Sequence, residues 1–378
     1  MIGNLDYATL QNIWWLIASV VGSLFIFLTF VQGGQTLLFT VAEDELEKNL
    51  IINSIGRKWE LTFTTLVLFG GALFAAFPLF YATSFGGAYW VWMLILFTFV
   101  VQTVGFEYRS KPNNLLGAKT YEVFLFINGS VGLLLIGAAV GTFFTGSRFI
   151  LNQYNAVAWQ TPVYGLEAAL NPFNLALGLF LVFLARTLGA LYLLNNIDHP
   201  PLNERCRYAA WNNFLCCLPF LLGVLVGLLV MDGFAVDPAT GAVSMESGKY
   251  LHNLLAMPVI AFMLLAGLVG VIYGVVSARF LEKECGIWFA GLGTVLVGIA
   301  LFGLAGYNHT AFYPSLSDLQ SSLTIHNASS SHYTLTAMTY VALAVPFVIA
   351  YIWFVWRKMD ARKISPDELS GDYAKDMY

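Results

Sequence analysis

Charge is what this chain lacks most. Only 11% of its 378 residues are Asp, Glu, Lys or Arg, against 58% hydrophobic, where soluble domains carry about a quarter charged residues. A water-soluble fold of this length needs a charged shell, so that class is excluded. A net charge of -4, with no basic stripe outside the loops, offers nucleic acid nothing to bind. Cysteine is scarce too: Cys206, Cys216, Cys217 and Cys285 form no C-x-x-C pair, which leaves them as small apolar side chains rather than redox or metal ligands. The histidines are His199, His252, His309, His326 and His332. None falls in the middle of an apolar run with a partner spaced to clamp a haem, so no directly bound cofactor is expected. The last three share one loop without an i, i+4 pair, and no metal centre is expected there. A basic n-region is also missing, and the first apolar run is too long for an h-region, so no cleaved signal peptide is expected.

What is present is a series of apolar runs from Ile13 to Trp356. Each can cross roughly 30 Å of hydrocarbon, which takes about 20 helical residues. Helices satisfy their own backbone in lipid, and the alternating pattern of a transmembrane barrel is absent. The expected fold is all-α: a polytopic integral membrane protein of one domain, with nine transmembrane helices near 13–40, 52–81, 87–106, 121–145, 172–195, 207–230, 251–280, 286–306 and 333–356. A short polar cytoplasmic tail, 361–378, is expected to be mobile.

Loop charges test this count. Arg357, Lys358, Arg362 and Lys363 follow the last run and place the C-terminus in the cytoplasm. Odd-numbered connections and the adjoining helix ends then hold Lys48, Arg57, Lys58, Arg109, Lys111, Lys119, Arg205, Arg207, Arg279 and Lys283. Even-numbered connections hold only Arg148 and Lys249. This is the asymmetry of the positive-inside rule, with the N-terminus periplasmic. Of the outer connections, 232–249 contains a turn signal, Asp237-Pro-Ala-Thr-Gly.

Ionisable residues near the spans are few, and intramembrane ones mark function by default. Lys58 and Glu60 flank Trp59 at the start of span two. Glu107 and Arg109 close span three, Glu122 opens span four, and Arg186 lies inside span five. Glu60 and Glu107 are expected at similar depth on neighbouring helices. Two carboxylates just inside the cytoplasmic face suit proton intake; pairing with Lys58, Arg57 or Arg109 at the interface is the simpler reading of the residues alone. Arg57, Arg109 and Arg186 are read as structural or charge-pairing groups. Trp14-Trp15, Trp90, Trp92, Trp353 and Trp356 fall near span ends and are expected to form an interfacial belt. The pairs Gly33-Gly34, Gly70-Gly71 and Gly86-Gly87 are expected to allow close helix approach.

Several segments together resemble subunit II of cytochrome bd-type quinol oxidases. Ile13-Trp14-Trp15-Leu16 opens the chain as that family does. Ile51-Ile52-Asn53-Ser54-Ile55 and Trp59 match its second-span entry, followed by Gly70-Gly71-Ala72-Leu73-Phe74-Ala75-Ala76 and Ser84-Phe85-Gly86-Gly87. Val104-Gly105-Phe106-Glu107-Tyr108-Arg109-Ser110-Lys111, Asn171-Pro172-Phe173-Asn174, Tyr313-Pro314-Ser315 and Asn327-Ala328-Ser329-Ser330-Ser331 continue the order. There are departures. The family's usual His-Trp-Asp is Lys58-Trp59-Glu60 here, and its span-three Asp is Glu107; both keep a carboxylate. Its Asp-Gly-Phe-Asp-Met-Gly falls at Thr29-Phe30-Val31-Gln32-Gly33-Gly34, losing both acids, so no oxygen or quinone passage built on them is carried over.

The resemblance implies a non-haem subunit of a respiratory quinol:oxygen oxidoreductase in the bacterial inner membrane. It implies a larger partner, subunit I, that holds haem b and haem d, oxidises quinol and reduces dioxygen to water, and often a small single-span subunit besides. This chain would stabilise subunit I, contribute a cytoplasmic proton pathway through Lys58, Glu60 and Glu107, and in some members hold a structural quinone or lipid. The alternatives are a secondary transporter, suggested by glycine-broken helices, and a purely structural scaffold subunit.

Overall fold

The computed structural model describes residues 5–111 and 114–370. Among them are nine helices long and apolar enough to cross a membrane: Tyr7–Phe39, Glu45–Ala76, Tyr89–Tyr108, Ala118–Thr145, Pro172–Asn196, Pro200–Val230, Pro258–Phe280, Gly286–Gly306 and His332–Met359. The expected count holds, and boundaries move mainly outward, because polar cap residues start the helices before the apolar runs do. Asp6 accepts from the Thr9 amide, Asp44 from Glu47 and Ser331 from Thr334, each satisfying a donor that the first turn leaves open.

Breaks fall where the backbone chemistry puts them. Span two stops at Ala76 and a short helix restarts at Pro78. Span seven is preceded by a separate helix, Lys249–Ala256, with Pro258 opening the membrane segment. In span nine the helix pauses at Leu343 and Ala344, just ahead of Pro346; proline has no N–H to continue a ladder.

Odd-numbered connections are short turns at one end of the bundle, the basic end. The opposite end carries three antiparallel hairpins: Phe149–Leu151 with Val157–Trp159, Gly233–Val236 with Val243–Glu246, and Ala311–Tyr313 with Leu323–Thr324. These add small two-stranded elements to the all-α expectation. The second hairpin turns at the expected Asp237 segment, whose carboxylate accepts from the Ala239 amide and the Thr240 hydroxyl.

Two expectations are corrected. Trp14 and Trp15 are not belt residues. Trp15 is 1% exposed and donates to the Phe302 carbonyl, while Trp14 donates to Thr339 Oγ1 and the Leu335 carbonyl. Buried indoles need an acceptor, and helix-turn carbonyls supply it. Trp15 sits in an aromatic core with Phe77, Phe143, Phe302 and Phe312. Trp90 and Trp353 do face outward.

The start of the tail, expected to be mobile, packs against the helical body. Ile364 pairs in parallel with Ile197, exchanging hydrogen bonds with Asn196 and Asp198. Asp360, Lys363 and Glu368 join ion pairs with the helical body. The rest of the predicted tail, 371–378, lies outside the described residues.

Small residues set the tightest helix approach. A Cβ on Gly33 would stand 1.8 Å from the Ala185 carbonyl oxygen, and Gly189 packs on Gly34 in the same seam. Gly71 and Gly86, by contrast, have open space where a Cβ would go. Close approach thus accounts for one of the three glycine pairs in full.

Candidate functional site

The basic end holds the ionisable side chains. Glu122, one turn into span four, is 1% exposed. Arg109 reaches it with both Nε and Nη2, at 3.0 and 2.9 Å, and Lys48 Nζ lies 3.1 Å from its other oxygen. Arg109 also donates to Asn49 Oδ1 at 2.7 Å and Glu45 at 3.0 Å. A buried carboxylate held by two cations ties spans two, three and four together. A buried pair survives only when its remaining donors are also satisfied, as they are here.

A second cluster surrounds Lys58, which is 2% exposed. Its ammonium lies 2.9 Å from Asp360 and 5.4 Å from the Trp356 ring centroid. The other Asp360 oxygen accepts from Tyr192 at 3.4 Å. Arg57 pairs with Glu368 at 2.8 Å. A third cluster joins Arg205 to Glu43 and Glu47.

Glu60 and Glu107 differ from these acids. Both are exposed on the isolated chain, and among the described residues neither accepts a hydrogen bond or joins an ion pair. The residues just before them, Trp59 and Phe106, stack at 5.9 Å with an interplanar angle of 11°. That contact joins the start of span two to the end of span three. Lys58, next in sequence to Trp59, points instead into the Asp360 cluster, so the three candidates do not converge. Arg186 forms no ion pair among the described residues; it bonds Asn213 and Thr36.

Glu122 and Asp360 were the partners missed. The signal for Glu122 was present in the sequence: a lone acid one turn inside an apolar helix, at the depth where Arg109 closes the preceding one. Asp360 gave no such signal, because it lies beyond the last apolar run.

The five histidines stand at span ends or in loops. His199 caps span six, His252 bonds Glu246 at 2.7 Å, His326 bonds Gln11 and His332 bonds the Leu5 carbonyl. Among the described residues no three of His, Cys, Asp and Glu gather to hold a metal ion. Apolar space lies elsewhere. An open groove of about 500 Å³ between spans two and three is lined by Phe63, Leu66, Phe74, Phe85, Trp92 and Phe99, among others.

The model of the cytochrome bd terminal oxidase subunit II family matches residues 10–359. The chain belongs to this family. It is 30% identical to cytochrome bd-I ubiquinol oxidase subunit 2 of Escherichia coli (strain K12), over 93% of this chain and 95% of that protein. It is 28% identical to cytochrome bd ubiquinol oxidase subunit 2 of Bacillus subtilis (strain 168), over 94% of this chain and 98% of that one. The fold matches a chain of the bd oxidase from Geobacillus thermodenitrificans with a TM-score of 0.60 at 14% identity, covering 94% and 99% of the two chains. This subunit II is therefore a multi-pass membrane component of a respiratory oxidase complex.

Proposed function

We propose that this chain is the non-haem subunit II of a quinol:oxygen oxidoreductase in a bacterial inner membrane, with its basic end in the cytoplasm. It stabilises a larger subunit I that carries haem b and haem d, and Glu60 and Glu107 form a proton entry to the partner's oxygen site. The names of the relatives, ubiquinol oxidase subunits, support the activity. One observation supports the proton role above the others: the residues next to the stacked Trp59 and Phe106 are two carboxylates free of the ion pairs that occupy Glu45, Glu47, Glu122 and Asp360. An acid without a fixed counter-ion can change protonation state; one locked between two cations cannot do so cheaply. Lys58 serves this route through position, by anchoring the start of span two.

A partner has surface to cover. The apolar window of span nine buries none of its residues within this chain, and Phe347 and Trp353 are 78% and 60% exposed. The aromatic groove between spans two and three gives a lipid or structural quinone a place beside it.

The test is Glu107→Gln and Glu60→Gln in the assembled complex. Oxygen consumption and proton uptake from the inside should fall while the haem d absorbance stays. Normal rates in both variants would remove the proton role, and loss of haem d would reassign the residues to assembly.

A further inference from the structure

We propose that Arg186 anchors a binding site for the headgroup of an anionic phospholipid in the leaflet at the basic end. The site is distinct from the Glu60–Glu107 pair and rests on the membrane reading alone. The guanidinium is held by neutral acceptors only. Nε donates to Asn213 Oδ1 at 2.7 Å, Nη1 to Thr36 Oγ1 at 2.7 Å and to the Thr36 carbonyl at 3.4 Å, and Nη2 to Thr40 Oγ1 at 3.3 Å. Among the described residues it joins no ion pair, whereas Arg57, Lys58, Arg109 and Arg205 at the same end each meet a carboxylate.

Arginine does not shed its proton in proteins, so this charge persists beside hydrocarbon, where an unpaired ion is costly. The carbonyl end of the span-one helix, at Thr36, offsets part of it through the helix dipole. The remainder calls for an anion from outside the chain.

Position identifies the anion. Arg186 leaves span five well before its end at Asn196, but the side chain reaches Thr40, in the turn that closes span one. The charge is thereby carried to headgroup level, the habit of long cationic side chains near a membrane surface. The least engaged nitrogen, Nη2, lies on the exposed side. Along the same helix as Asn213, Leu215 and Leu222 are 44% and 58% exposed, apolar surface of the kind an acyl chain covers. A planar fork of N–H donors suits phosphate oxygens, and cationic pockets between spans on this side are where acidic lipids settle.

The test uses the purified oxidase complex, stripped of lipid in detergent. Native mass spectrometry should show one phosphatidylglycerol more on the wild type than on Arg186→Gln. Added phosphatidylglycerol should raise the wild-type unfolding temperature and leave the variant's unchanged. Phosphatidylcholine and inorganic phosphate should do neither. A second measurement needs no variant. Cys216 is exposed and sits three residues from Asn213, on the same helix face. Phosphatidylglycerol should slow its alkylation by a maleimide several-fold, with exposed Cys285 unaffected as the internal control. Equal lipid retention in both proteins, or no protection of Cys216, would overturn the proposal. The same effects from inorganic phosphate would give the site to a free anion and overturn the lipid assignment.

Discussion

At the scale of single residues, the buried acid matters more to stability than the exposed ones. Glu122→Gln leaves the exposed Glu45 as the carboxylate paired with Arg109 and should cost about 3 kcal/mol, the range for breaking a buried pair. Glu45→Gln, at a side chain 69% exposed, should cost less than about 1 kcal/mol. Denaturant unfolding in detergent, followed by tryptophan fluorescence, separates the two. At the hairpin end, burial and the nearby charge of His309 push the His326 pKa below its ordinary value. The folded state thus favours neutral His326. Its contribution is complete above the unfolded pKa of about 6.5 and is lost as pH falls through the lower folded value. His326→Gln should flatten the acid side of the stability profile, measured as unfolding temperature against pH.

At the scale of elements, helix seams were only partly legible in the sequence. The glycine pairs were visible, but which of them meets a neighbour depends on helix rotation, and composition does not report rotation. Gly33 meets backbone and Gly71 meets nothing. Gly33→Ala should therefore cost about 1–3 kcal/mol or more, as overpacking does, while Gly71→Ala should be neutral or add up to about 1 kcal/mol. Unfolding of the two variants side by side checks this. The nine spans themselves were readable because hydropathy and loop charge are one-dimensional signals. Trp14 and Trp15 were misplaced for the opposite reason: nearness to a span end looks the same whether the ring turns outward or into the Phe302–Phe312 cluster. The meeting of the start of span two with the end of span three, seen in the Trp59–Phe106 stack, could be expected from the order of the spans; the Asp360 partner of Lys58 could not, since nothing local links residues so far apart.

At the scale of the whole molecule, span nine is fastened at its ends rather than along its length. Trp14 holds its first half and the Lys58–Asp360 and Ile197–Ile364 contacts hold its exit. Asp360→Asn should loosen that exit in the isolated subunit, seen as faster amide exchange in 345–359, and the difference should shrink once subunit I is bound. Equal exchange in the two states would argue that the partner docks elsewhere.

The Lys58–Asp360 contact also has a history in time. Its members are separated by 302 residues, and Arg57 is 311 residues from Glu368. A ribosome making this chain from the N-terminus delivers the two cations early and their counter-ions almost last. Throughout insertion of the intervening spans Lys58 stands without its acid. A chain whose synthesis stops short of Asp360 never gains the carboxylate that meets Lys58, so this contact forms only in a chain translated almost to its end.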